Sequence, residues 1–466
     1  MNLFSKSQEE YQLPEYLISF RDNAYEALMK SIDMQSVMKL SKSELQIEIE
    51  KFLEYFIKDN NLKITRRELS IVTKDVVNDM VGLGPIDKLL EDKEITDIVI
   101  NKFDKVYIEK NGQLSITNIK FRDENHLIQI AQRIAQKVGR RIDTSNPICD
   151  ARLEDGSRVN IIFPPIAIDG VAISIRKFSS TKLNLEEIAE HGSMSLNMLS
   201  FLKIATKCAL NIIVSGGTGS GKTTLLNALS SLISDNVRIV TCEDAAELQL
   251  QQPHVVRLES RDPNMEGNGE ITIRDLLRNA LRMRPDRIIV GEVRGDECID
   301  MLQAMNTGHE GSMSTIHANS PSETIIRIED MILMSGLELP VSAIRSQIVS
   351  AIDIIVQTER MHDGSRKITE IAEISKIENG EVICTPIFKF VPDGIKSDKV
   401  IGHFESFSNA PKFMNKAKKY GLENELKKVL KLDEPEQNKV EIDQDITIPK
   451  LKENVDNKTI SENKEL

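Results

Sequence analysis

The octet Gly216-Gly217-Thr218-Gly219-Ser220-Gly221-Lys222-Thr223 limits what this chain can fold into more than any other stretch. It fits G-x-x-x-x-G-K-[ST], and its flanks give that pattern a mechanism. Residues 210–215 ahead of it are apolar and β-branched, which predicts a buried strand. Behind it Leu225, Leu226, Leu229 and Leu232 recur at helical spacing. A strand that feeds a glycine-rich turn and then a helix points successive backbone N–H groups at one spot, where the helix N-terminus adds partial positive charge. The glycines let the backbone approach a polyphosphate, Lys222 reaches the β and γ oxygens, and the Thr223 hydroxyl suits Mg²⁺. The segment through Thr224 therefore predicts a site for a nucleoside triphosphate.

Strands alternate with helices on both sides of this motif, the pattern of a parallel α/β sheet. Strands are expected at 210–215, 237–242, 254–258, 287–291 and 312–316, and helices near 196–207, 222–234, 272–283, 297–306 and 322–334. Late turn pairs, Asp363-Gly364 and Asn379-Gly380, precede an amphipathic helix with Leu422, Leu426, Val429 and Leu430. The α/β region is expected over 186–432, with a linker at 179–185.

Residues 76–178 read as a smaller α+β domain. Short strands (98–100, 106–108, 159–163, 171–175) carry tight-turn pairs such as Asn111-Gly112, and one helix places Leu127, Ile130, Ile134 and Val138 on a face. Residues 1–75 form a helical leader in which Leu45, Ile49, Phe52, Leu53 and Phe56 share a side. Residues 433–466 hold ten acidic and five basic side chains (net −5) with no glycine or aromatic residue, a composition expected of a disordered tail.

The whole chain of 466 residues carries a net charge of −12, which weighs against a surface built to grip nucleic acid. It shows neither an apolar run long enough for a bilayer nor a signal-peptide core, so a cytoplasmic place is expected, at a membrane only through partners. Five scattered cysteines without a C-x-x-C pair predict neither a zinc site nor a disulfide framework.

Three further segments bear chemistry. Residues 287–292 form an apolar strand ending in Glu292, with Gly291 where an aspartate commonly holds Mg²⁺ through water; Glu292 is left to serve the metal shell or the attacking water. Glu243, Asp244 and Glu247 follow another strand and so share the carboxyl edge of the sheet with the phosphate loop. Either Glu243 or Glu292 could orient the water. His309 and His317 bracket a strand, and a histidine at its end could donate to a γ-phosphate.

Together these segments resemble the type II/IV secretion ATPase superfamily: Walker A (216–224), aspartate box (238–248), atypical Walker B (287–295) and histidine box (307–321). The runs 284–295 and 301–311 look most like its Tad/Flp pilus assembly branch, and the likeness covers about 80–430. The resemblance implies a RecA-like P-loop domain after a smaller PAS-like domain, and a ring, usually hexameric, with ATP at the domain junction. It implies arginines that reach the phosphates, at Arg158 and Arg176 here, and a sensing role for His317. The implied task is Mg²⁺-dependent ATP hydrolysis that drives pilus assembly or protein secretion through an inner-membrane platform. The traffic ATPase of conjugation-type type IV secretion is the nearest alternative, followed by a DNA-translocating ring and a low-turnover nucleotide switch.

Overall fold

A computed structural model describes residues 14–31, 40–110, 112–178, 183–261, 263, 267–407 and 409–432, and the chain divides into two units, Met1–Thr181 and Lys182–Leu466. Asn111 of the expected turn, most of the expected linker and the acidic segment 433–466 lie outside the described residues.

The first unit begins with helices α1 (Glu15–Ser31), α2 (Lys42–Asp59) and α3 (Arg66–Val81). Capping boxes start α2 and α3: Ser41 pairs with Glu44, and Thr65 with Glu68, so each side chain satisfies an orphan N–H of the other residue. Leu17, Phe20 and Leu28 of α1 pack with Leu45, Ile49 and Leu53 of α2 and with Val72, Val76 and Met80 of α3. The helical leader thus has a core of its own. It also continues past residue 75 to Val81, because Val76, Val77 and Met80 complete the apolar face of α3.

After α4 (Ile86–Glu91) come β1 (Ile95–Lys102), β2 (Lys105–Lys110), β3 (Gln113–Ile116), helix α5 (Glu124–Lys137), β4 (Ile148–Arg152), β5 (Arg158–Ile162) and β6 (Ala172–Arg176). The strands form one antiparallel sheet in the order β3-β2-β1-β6-β5-β4. With a side-chain period of two, Ile98, Ile100, Val159, Ile161, Ile173 and Ile175 turn one face to Leu127, Ile130 and Ile134 of α5. The other face carries the polar positions.

The second unit holds α6 (Leu185–Glu190), α7 (Leu196–Lys207), β7 (Ile212–Gly216), α8 (Lys222–Ser230), β8 (Ile239–Glu243), β9 (Val255–Glu259), α9 (Ile273–Ala280), β10 (Arg287–Val293), α10 (Glu297–Asn306) and β11 (Met313–Ile316). It continues through α11 (Pro321–Met334), α12 (Val341–Ala351), β12 (Ile354–Arg360), β13 (Arg366–Glu378), β14 (Glu381–Lys396), β15 (Lys399–Ser406), α13 (Met414–Lys419) and α14 (Glu423–Val429). Nine strands order as β15-β14-β13-β12-β7-β11-β10-β8-β9. The run from β12 to β9 is parallel; the alternating pattern predicts five of these six strands but not β12, and β13–β15 add an antiparallel meander that the sequence signalled only through its turn pairs.

Buried on both faces, the parallel strands read as continuous apolar runs. Ile212, Val214 and Val356 face α7 and α8 in one layer, and Ile213, Val290 and Ile355 face α9 to α12 in the other. Buried Asn211 fixes the start of β7: its amide donates to the carbonyls of Met305 and Ala351 and accepts from the N–H groups of Gly311 and Ser312. Among the described residues no helix is long and apolar enough to cross a membrane.

Candidate nucleotide-binding site

Strand β7 ends at Gly216 and α8 starts at Lys222, so the glycine-rich loop spans one strand end and one helix N-terminus. Gly221, the residue before the helix, has φ +97°, a conformation side chains rarely adopt. Gly216 is required for a different reason: a Cβ there would lie 2.4 Å from the carbonyl oxygen of Thr358. Lys222 folds over the loop, its ammonium donating to the carbonyls of Gly216 (2.9 Å) and Gly217 (3.0 Å). Thr223 is half-buried in the first turn of α8, and Thr224 beside it is exposed.

The two candidate carboxylates stand in unlike surroundings. Glu243, at the end of β8, is 2 % exposed. Its Oε2 accepts from the N–H groups of Glu247 (2.7 Å) and Leu248 (2.9 Å). Oε1 and the hydroxyl of Thr241, two residues back on the same strand face, are buried and make no hydrogen bond. Burial pushes the Glu243 carboxyl up, against the pull of the Leu248 and Glu247 N–H groups. The Thr241 hydroxyl adds a weaker downward pull on the same carboxyl.

Gly291 explains why the usual aspartate is missing. It lies beside Glu243 across the β8/β10 pair, and a Cβ at Gly291 would come within 3.0 Å of the Glu243 Cγ. The Cβ and Cγ of Glu243 on the neighbouring strand crowd the room that a side chain on β10 would need. Glu292, next along β10, keeps a side chain 25 % exposed and pairs with Arg294 at 2.5 Å. Arg294 also reaches Asp244 at 3.6 Å, which ties the two acidic segments together. Glu292 and Asp244 hold the Arg294 guanidinium above its ordinary pKa, chiefly through the Glu292 hydrogen bond.

The histidines separate. His317 follows β11 and is exposed, one residue beyond the Ile316–Ser215 pair and so level with the start of the phosphate loop. His309 precedes β11, at the opposite edge of the sheet, where its ring contacts the carbonyl of Ala304 and its own carbonyl accepts from Ser312.

Arg158 and Arg176 belong to the first unit. They stand directly opposite each other on β5 and β6, with Arg152 opposite Arg158 and Asp97 opposite Arg176. The open face of the sheet thus carries three arginines in one row. Beside the row is a hollow of about 220 Å³ lined by Asp97, Asp150, Arg158, Asn160, Ser174 and Arg176. Like charges facing across neighbouring strands repel, and an anion laid along the row would offset that cost.

Sequence reasoning missed the support that β12 and β13 give the loop. Thr358 donates to the Ser215 carbonyl (3.0 Å) and meets the Ser220 hydroxyl at 2.9 Å. The Gln357 amide links Ser215 to the Ala318 carbonyl. Arg366 donates from Nε to the Gly219 carbonyl at 3.0 Å. One signal was available: Gln357-Thr358 breaks the apolar run Ile354-Ile355-Val356, and polar residues at the end of a buried strand need partners.

Residues 79–382 match the family described as type II/IV secretion system protein. The chain is 38 % identical over 306 residues to a putative conjugal transfer protein of Mycobacterium tuberculosis, covering 64 % of this chain and 86 % of that one. It is 35 % identical over 332 residues to the type IV secretion system protein VirB11 of Bartonella quintana, covering 63 % and 92 % respectively. Among solved structures it is similar to the VirB11 ATPase of the Brucella suis type IV secretion system, with 31 % identity, 62 % of this chain and 95 % of that chain covered, and a TM-score of 0.35.

Proposed function

The chain belongs to the type II/IV secretion system protein family, and from that premise we propose that it is a Mg²⁺-dependent ATPase working as an oligomeric motor. The observation that carries this reading is the gathering of Lys222, Thr223, Glu243, Glu292 and His317 at one edge of the parallel sheet. The loop from Gly216 through Gly217, Thr218, Gly219, Ser220 and Gly221 to Lys222, Thr223 and Thr224 wraps the phosphates. Lys222 exchanges its two loop carbonyls for β and γ oxygens.

Thr223 and Glu292 would hold Mg²⁺, which when bound would supply positive charge to the phosphates. Glu243, dry and raised in pKa, is suited to accept a proton from a water or to hold that water in line, and Glu292 shares the metal shell. His317 donates to the γ-phosphate. The row containing Arg158 and Arg176 supplies further positive charge to the phosphate oxygens during turnover.

The motor serves a type II/IV secretion or pilus machine, as a homo-oligomer, a hexamer in this reading, at the cytoplasmic face of an inner-membrane platform. Similarity to a putative conjugal transfer protein and to a type IV secretion system protein favours the conjugation-type branch. The residue runs 284–295 and 301–311 support the Tad/Flp branch as a second reading. Titration with Mg²⁺-ATP tests the core of the proposal: Lys222→Ala should weaken binding about a hundredfold and abolish phosphate release. Wild-type affinity in that variant would contradict it.

A further inference from the structure

Resting on the nucleotide-binding reading above, we infer that Arg360 and Arg366 form the seat for the nucleoside end of the ligand, gripping ribose and base rather than phosphate. Strand β7 lies between β11 and β12. The carboxylates Glu243 and Glu292 sit at the ends of β8 and β10, beyond β11, on one flank of the phosphate loop. A triphosphate whose γ end points to those carboxylates runs back over the loop and delivers its sugar and base to the opposite flank, that of β12.

There the turn between β12 and β13 places two guanidinium groups against the loop. Arg366 Nε donates to the Gly219 carbonyl at 3.0 Å, and its Cδ lies 3.4 Å from the point a Cβ on Gly221 would occupy. Arg360 comes within 3.3 Å of the equivalent point on Gly219. Arg366 is exposed and Arg360 half-buried. The turn is itself held in shape. Asp363 accepts from the N–H and hydroxyl of Ser365 and from the N–H of Val400 on β15, and these bonds, the Ser365 hydroxyl foremost, bring its carboxyl down to about 2.

Guanidinium hydrogen bonds lie in the plane of the group. Arg366, bonded by one edge to the loop, therefore offers a flat cationic face, which stacks well on a nucleobase. Glycine at 219 allows this close approach, since a side chain there would press against Arg360.

Calorimetric titration of Mg²⁺-ADP and Mg²⁺-pyrophosphate, the same phosphate pair without a nucleoside, tests the assignment on the full chain. Arg366→Ala should bind ADP about tenfold more weakly and pyrophosphate within about twofold of wild type, and Arg360→Ala should follow the same pattern. Arg366→Lys keeps the charge and a donor for the carbonyl but loses the flat face, so it should stay weak for ADP. Equal losses for the two ligands, no loss for either, or full recovery of ADP binding in Arg366→Lys would each overturn the inference. Lys222→Ala serves as the control: it must weaken both ligands, and if it weakens neither, the nucleotide-binding reading itself fails.

Discussion

In the nine-stranded sheet the charged groups at the carboxyl edge are tied down. Glu243 is buried against two backbone N–H groups, Lys222 rests on loop carbonyls, and Glu292 is paired with Arg294. In the six-stranded sheet the charged row Asp97–Arg176–Arg158–Arg152 stands on the open face, with arginine facing arginine on adjacent strands. The first arrangement is held by hydrogen bonds and an ion pair before any ligand arrives, and Lys222 and Glu292 would exchange theirs for ligand contacts. The second holds like charges side by side and gains most when an anion joins them. The two sheets thus hold their charged groups in different ways: by burial and backbone hydrogen bonds in one, by exposure and register in the other.

The largest effect expected from this contrast concerns turnover. Arg158→Ala or Arg176→Ala should slow ATP hydrolysis by about a hundredfold or more, because removing a guanidinium from the phosphate charge costs catalysis heavily. The melting temperature should stay close to wild type, since both side chains are exposed. Steady-state hydrolysis alongside thermal melts would check both, and a drop of several degrees would mean that the row is held by its own sheet rather than built for an anion.

On the buried side, Gly291→Asp should destabilise the second unit by roughly 2–4 kcal/mol, since a second carboxylate would press on Glu243 in a dry place. Adding Glu243→Ala should return most of that loss. Denaturant titration of the single and double variants reads this coupling, and simple additivity would show that Gly291 is not there to make room for Glu243.

A smaller effect comes from Glu373 on β13, which is 6 % exposed and near the Phe413 N–H. Burial pushes its carboxyl from 4.5 up to about 7. Folded, it binds a proton that the unfolded chain has released, so its contribution to stability falls as pH rises from 4.5 through about 7. Glu373→Gln should match wild type near the bottom of that window and be more stable by about 2 kcal/mol above it. Melts across the window would show equal pH slopes if the group titrated normally.

Local features were legible in the sequence, and relations between distant segments were not. The phosphate loop needs a contiguous strand, turn and helix, so 216–224 announced itself, and the five parallel strands around it followed from their apolar runs. The pairing of Gly291 with Glu243 depends on β8 and β10 being neighbours in space, and strand order is not written in either segment. Arg366 touches Gly219 from 147 residues away, across a hairpin that only a turn pair hinted at. His309 and His317 could have been told apart from sequence alone, because one precedes its strand and the other follows it, which in a parallel sheet sends them to opposite edges.

Hydrolysis driven by two carboxylates on adjacent strands is tested most directly by single-turnover phosphate release from Mg²⁺-ATP. Wild type should release phosphate only with Mg²⁺ present. Glu243→Gln and Glu292→Gln should each bind ATP nearly as well as wild type yet release phosphate about a hundredfold more slowly. Wild-type rates in either variant, or no Mg²⁺-dependent release from the unaltered chain, would contradict it.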